Sequence, residues 1–154
     1  MKKTLLVVAH APSPNTQKLL DAVLRGANNE QISNVETRYL PPLDATPEDV
    51  LNADAIILGT TENLAYMSGL LKDFFDRIYY PCLDKTAALP CVIFIRAGHD
   101  GTGTKRALES ILRGLRWKMV QDTLVCKGDF RKDFVDQCEE LGLYIAASLD
   151  AGIV

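Results

Sequence analysis

The chain has 154 residues, 47% of them apolar and 24% charged, with a formal net charge of -3. That length and balance predict one compact domain over residues 1–154 with a core of its own, and so mild an acidity argues against nucleic acid as a partner, because such proteins present a basic face to phosphates. No stretch approaches the ~18 apolar residues that span a bilayer, and the apolar run behind Met1, Lys2 and Lys3 stops at His10 and Pro12, too early for a secretory h-region.

The first predicted strand is Leu5 to Ala9, followed by the loop His10 to Thr16 and a helix-like stretch from Gln17 to Gly26. A helix start offers unpaired backbone N–H groups and the positive end of the helix dipole. Ser13, Asn15 and Thr16 add side-chain donors there. No Lys or Arg lies inside the loop, so a phosphate at this place would be held by neutral donors in a nest rather than by a cationic clamp.

Val35 to Leu40 is the second strand. Beyond it Pro41, Pro42 and Pro47 leave room for only a short helix after Thr46. The third strand, Ala55 to Gly59, is nearly continuous in apolar residues, as expected when both faces of a sheet are covered. Its loop, Thr60 to Ser68, leads into the segment Met67 to Tyr80, where Leu70, Leu71, Phe74, Phe75, Ile78 and Tyr79 recur at helical spacing. A planar ring of mixed polarity needs apolar contact on its faces and hydrogen bonds at its edge. Leu64, Tyr66 and Met67 can supply the first, and backbone groups of Thr61, Glu62 and Asn63 the second. An ordinary helix-start loop with Ser68 near an N-cap is the plain alternative.

Cys91 to Ala97 is the fourth strand, and the loop behind it, Ala97 to Gly103, carries three glycines. Gly98 and Gly103 have P-loop spacing, but Thr104-Lys105 reverses the order that motif needs, and Arg106 stands where a dinucleotide fingerprint needs its third glycine. The glycines still permit close approach of backbone to a flat ligand; a merely flexible turn remains the alternative. A helix over Thr104 to Trp117, a fifth strand over Met119 to Val125 and a last helix over about Lys132 to Leu149 complete the chain. Lys105, Arg106, Arg113, Arg116 and Lys118 read as the solvated side of the fourth of these helices. Cys82, Cys91, Cys126 and Cys138 form no C-x-x-C pair, and neither histidine flanks them at ligand spacing, so reduced thiols in a cytoplasmic protein are expected, with no metal site.

Strands and helices alternate without linker or repeat, which predicts an α/β three-layer, doubly wound sandwich with a five-stranded parallel sheet in the order 2-1-3-4-5. In that topology the loops after strands one, three and four meet at one rim. A phosphoacceptor signalling domain would need acids at the ends of strands one and three, where Ala9-His10 and Gly59-Thr60 stand. A nucleophilic hydrolase would need an elbow serine, and Ser13 lacks that context.

Ser13-Pro14-Asn15-Thr16, Gly59-Thr60-Thr61-Glu62-Asn63, Tyr66-Met67-Ser68-Gly69 with Leu71 to Arg77, and the glycine-rich loop from Gly98 together resemble the flavodoxin-like FMN proteins, in particular the NAD(P)H-dependent FMN reductase and quinone reductase branch. The resemblance spans essentially the whole chain. It implies that Ser13, Asn15 and Thr16 bind the FMN phosphate and that Thr61, Glu62, Asn63, Tyr66, Met67, Gly98 and Gly101 line the isoalloxazine ring. The implied activity is electron transfer from NAD(P)H, as co-substrate, to a small-molecule acceptor such as a flavin or quinone. No side chain is an obligatory acid or base; His99, Asp100 and Tyr66 are candidates for influencing protonation. An electron carrier of the flavodoxin type and a non-catalytic flavin-binding protein are the competing functions, and a homodimer is left open.

Overall fold

The computed structural model of the chain describes residues Met1–Val154. Its elements run β1 (Lys3–Ala9), α1 (Pro14–Ala27), β2 (Val35–Leu40), a 3-10 turn (Pro42–Asp44), α2 (Pro47–Leu51), β3 (Ala55–Asn63), β4 (Tyr66–Met67), α3 (Gly69–Cys82), β5 (Pro90–Ala97), α4 (Thr102–Leu115), β6 (Lys118–Met119), β7 (Leu124–Lys127) and α5 (Lys132–Asp150). The sheet order is β2-β1-β3-β5, with β6 and β7 following each other along the outer edge of β5. All of these pairings are parallel, so the expected order 2-1-3-4-5 stands with the fifth place shared by two short strands.

The period-two alternation of the strands explains the three layers. Leu5, Val7 and Ala9 point with Ile57, Val92 and Phe94 to the face covered by α1 and α5, while Leu6 and Val8 point with Ile56, Leu58 and Ile93 to the face covered by α3 and α4. The two clusters hold 20 and 21 buried residues, so neither face of the sheet is left to solvent and near-continuous apolar strands are required. On the first face the two helices touch backbone to backbone. A Cβ at Gly26 would stand 2.0 Å from the Glu139 carbonyl, and one at Gly142 would stand 2.1 Å from that of Val23. Both α1 and α5 return against the strand direction, so this contact sets their N-termini side by side at the carboxyl rim of the sheet. No helix is long and apolar enough to cross a membrane.

Two local expectations need correction. The fifth strand, expected unbroken over Met119 to Val125, leaves the ladder between β6 and β7. Gln121 and Asp122 are exposed there, Thr123 donates its hydroxyl to Glu109 at 2.8 Å, and Tyr144 donates its hydroxyl to the Val120 carbonyl at 3.2 Å. Polar side chains at a sheet edge thus exchange ladder bonds for side-chain bonds, which also shortens the edge available for unwanted pairing. The loop expected over Thr60 to Ser68 is mostly regular: β3 runs on to Asn63, turns at Leu64-Ala65, and pairs with β4 in an antiparallel hairpin.

Candidate functional site

Strands β1, β3 and β5 are neighbours, with Ala9 opposite Gly59 and Gly59 opposite Phe94. Their carboxyl ends therefore place the three marked loops side by side, and hydrogen bonds lock them together. The His10 N–H donates to the Gly59 carbonyl at 3.0 Å, tying the first loop to the second. The Gly101 N–H donates to the Glu62 carboxylate at 2.6 Å, tying the third to the second.

The first loop ends in a capping box. The Ser13 N–H donates to Thr16 Oγ1 at 2.9 Å, and the Thr16 N–H donates to Ser13 Oγ at 3.2 Å. Thr16 Oγ1 also donates to the Ser13 carbonyl at 3.0 Å. These two hydroxyl side chains are thus largely spent on holding the helix start, and Thr16 is buried. Donors left over are the N–H groups of Ala11 and Asn15 and the exposed Asn15 carboxamide, none of which has a partner in the chain. Pro12 and Pro14 contribute no N–H, which concentrates the loop's donors at those points. One residue missed as a site member joins them: His10 has a fully buried Nδ1 with no hydrogen-bond partner. Burial also depresses its pKa, which favours the neutral ring. Its position directly at the carboxyl end of a strand was the available signal.

In the second loop, Thr60 is buried and its hydroxyl accepts the Ser68 N–H at 2.9 Å, while Ser68 caps α3 by accepting the Leu71 N–H at 3.2 Å. The hairpin tip is conformationally costly. Leu64 and Ala65 have φ of 53° and 62°, both in the left-handed region that a type I′ turn requires and that Asn-Gly fills without strain. Leu64 is completely exposed, and Tyr66 is 39% exposed beside it. Met67 behaves differently from expectation: its side chain is 2% exposed and packs in the core with Leu71 and Phe74, because the hairpin's alternation turns it inward. What Met67 can offer a ring is backbone alone. Thr61 donates its hydroxyl to Asn63 Oδ1 at 2.9 Å, and the Asn63 amide nitrogen is left without a partner in the chain.

The third loop divides its glycines by task. Gly101 has φ of 76°, and a Cβ there would stand 2.7 Å from Val125 Cγ1, so it must be glycine to turn into α4. A Cβ at Gly103 would stand 2.4 Å from the Ala65 carbonyl oxygen, so the hairpin tip rests on the start of α4. Gly98 has nothing within 4 Å of such a Cβ and faces open space with exposed His99 and Asp100. The rim formed by the three loops is a shelf with donors along one end and a Leu-Tyr tip along the other. The larger surface concavities, about 400 and 450 Å³, lie instead on the two sides of the broken fifth strand.

Arg96, a second residue that the sequence reading passed over, stands one position before the end of β5. Its Nη1 donates to the carbonyls of Ala97 at 2.8 Å and Cys126 at 3.0 Å. A charged residue near the carboxyl end of an otherwise apolar strand was the signal for it.

The family model for NADPH-dependent FMN reductases matches residues 3–130 of the chain. A flavodoxin of Aquifex aeolicus (strain VF5) is 30% identical over 108 residues, which are 70% of this chain and 57% of that protein. The chain thus spans little more than half the length of that relative. Among solved structures, a flavodoxin from the domain Archaea superposes with a TM-score of 0.79 at 18% identity, covering 94% of this chain and 97% of its own. A WrbA-like flavodoxin from Agrobacterium tumefaciens superposes with a TM-score of 0.72 at 17% identity, covering 96% of each chain. At those identities the two superpositions speak to the fold.

Proposed function

The chain belongs to the NADPH-dependent FMN reductase family, and from that premise we propose that it is an FMN-binding oxidoreductase that passes electrons from NAD(P)H to a flavin, a quinone or a similar acceptor. The observation that carries the reading is the set of unspent donors at the end of β1: the N–H groups of Ala11 and Asn15, the Asn15 carboxamide and the orphaned His10 Nδ1. A buried polar atom left without a partner is costly unless a ligand completes it, and His10 Nδ1 is the member of this set that is buried. The donor set fits a phosphate monoester, and Ser13 and Thr16 serve it by fixing the turn in which those donors converge.

FMN, when bound, supplies the electron-accepting and electron-donating chemistry. The chain's own part is placement. Glu62 holds Gly101 and so fixes the distance between the second and third loops. Leu64 and Tyr66 offer apolar surface to one side of a flat ring, the backbone of Thr61, Glu62, Asn63 and Met67 offers edge contacts, and Gly98 leaves room for close approach. His99 and Asp100 are exposed beside it. An open shelf suits this task, since a second planar ring must reach the first.

A carrier role is the second reading, favoured by the flavodoxin of Aquifex aeolicus among the relatives. Adding NADPH or NADH anaerobically to the FMN-loaded protein separates the two. Rapid bleaching of the oxidised flavin's visible band supports the reductase. An unchanged spectrum with both donors leaves a carrier or a binder, and a purified protein that neither carries nor takes up FMN defeats all three.

A further inference from the structure

The third loop is flanked on both sides by unpaired cations. On one side the start of α4 carries Lys105 and Arg106, both exposed, and the hairpin tip rests against that helix start, since a Cβ at Gly103 would stand 2.4 Å from the Ala65 carbonyl oxygen. On the other side the Gly128 N–H donates to the Ala97 carbonyl at 3.0 Å, which brings in the connection from β7 to α5 with exposed Lys127, Arg131 and Lys132. Lys18 of α1 and Arg96 of β5 extend this second group. Lys18 Nζ lies 5.8 Å from the Phe130 ring centroid, and the Arg96 guanidinium lies 5.8 Å from Phe130 and 5.5 Å from Phe134. The Arg131 guanidinium lies 4.7 Å from Phe134. The chain's ion pairs are Arg25–Glu139, Arg38–Asp49, Lys72–Asp76 and Arg77–Asp73, so none of these cations has a carboxylate at ion-pair distance. Asp100, Asp129 and Asp133 are the exposed acids among them, and the Glu62 carboxylate is engaged by the Gly101 N–H.

A chain of net charge -3 has thus gathered an excess of positive charge around its candidate shelf. The first turns of α1 and α4 contain no acid, and Arg131 is an N-cap of α5 that makes no cap bond. Cations at helix starts oppose the dipole, so the arrangement runs against the local stability of the helices, and such departures belong to functional surfaces. The form of the array selects its occupant. The phenylalanine rings stand between the cations of one group, and the third loop separates that group from Lys105 and Arg106, so the charges are spread around a loop rather than converging on one small anion. Spread charge of one sign steers and orients a large partner of the other sign. At its inner border stand Leu64, completely exposed, and Tyr66, 39% exposed, and an apolar centre within a charged rim is the anatomy of a protein interface. Single-stranded nucleic acid would need open aromatic faces for its bases, whereas Phe134 is buried and both rings carry cations.

We propose that this face docks an acidic redox protein, and that a protein of that class is the electron acceptor. The inference rests on the reductase reading above and names the acceptor that the reading leaves open. Leu64 and Tyr66 meet the partner beside the shelf, while Lys105 and Arg106 on one side and Lys127, Arg131 and Lys132 on the other face its carboxylates. Oxidation of one NAD(P)H releases two electrons and one proton. The proton goes to solvent, and the electrons reduce two molecules of a one-electron partner that dock in turn. Exposed rim charges suit that exchange, because they speed encounter more than they slow release.

Surface plasmon resonance on the immobilised FMN-loaded protein tests it without turnover, with the soluble domain of cytochrome b5 as the acidic haem-protein probe and cytochrome c as the basic one. Cytochrome b5 is expected to associate about tenfold or more faster than cytochrome c at low salt, and to lose about tenfold of that rate between roughly 20 and roughly 200 mM salt. The variants Lys105→Glu/Arg106→Glu and Lys127→Glu/Lys132→Glu are each expected to slow its association about tenfold while FMN affinity is kept. Equal association of the two cytochromes, insensitivity to salt, or unaltered association in both variants overturns the docking face. So does an oligoadenylate RNA that binds more tightly than cytochrome b5 and loses its binding in the same variants. Docking of cytochrome b5 with no flavin reduction by either dinucleotide upholds the face and defeats the reductase reading. Flavin reduction by NADPH that leaves docked cytochrome b5 oxidised overturns the partner's part as acceptor.

Discussion

Replacing Arg131 by aspartate should make the protein more stable. Arg131 has φ of -134° and ψ of 154°, which an N-cap aspartate adopts without strain, and its carboxylate would accept the open N–H of Asp133 at the second position of α5. That bond is worth ~1 kcal/mol. Exchanging a cation for an anion at the positive end of the helix adds roughly 0.5 kcal/mol at an exposed site. Against this stands the loss of the guanidinium over Phe134, about 0.5 to 1 kcal/mol. The balance is a gain of roughly 0.5 to 1 kcal/mol, or about 1 to 4 °C in Tm for a domain of this size. Thermal unfolding followed by circular dichroism, at one fixed FMN concentration so that ligand linkage does not intrude, measures it. A Tm that is unchanged or lower would show that Arg131 contributes to the fold itself.

Three further outcomes follow from the site and the core. Asn15→Ala should weaken FMN binding by about 1 to 2 kcal/mol with little change in Tm, whereas Thr16→Ala should lower stability by ~1 kcal/mol through loss of the capping box; fluorescence titration and urea unfolding distinguish them, and equal effects on both readouts would contradict the division of labour. Leu64→Asn combined with Ala65→Gly relieves two positive-φ residues in a tight hairpin turn and should raise stability by about 1 to 2 kcal/mol, while removing the apolar tip weakens FMN binding; a loss of stability would refute the strain. Burial pushes the Cys91 thiol up to about 12 from the usual 9.0, so its contribution to stability is complete below pH 9 and is lost as pH rises toward 12, at roughly 1.4 kcal/mol per pH unit. Urea unfolding of wild type and Cys91→Ala between pH 9 and 11 should show a shallower decline in the variant, and parallel declines would count against it.

The fold was legible because its signals are local. Near-continuous apolar strands, helical repeats such as Leu71, Phe74, Phe75 and Ile78, and caps such as Ser13 and Thr46 each act within a few residues of themselves. The break after Met119 was harder to read, since an edge strand is decided by what Glu109 and Tyr144 offer from other helices. Met67 was misjudged for a similar reason. Whether a residue in a short hairpin faces ligand or core depends on register, and one position reverses the face.

Sequence by itself determined the layer order, the three loops at one rim and the neutral character of the first loop, because period, turn chemistry and helix capping depend on neighbours along the chain. Only the tertiary structure decided which donors remain free after Ser13 and Thr16 have satisfied each other, that Glu62 fastens Gly101, and that Lys18, Arg96 and Arg131 share one surface. Those facts depend on the backbone contact of α1 with α5 and on the register of β3, β5 and β7, which join residues far apart in the chain. Charge is additive along a sequence, but an electrostatic site arises from distance in space.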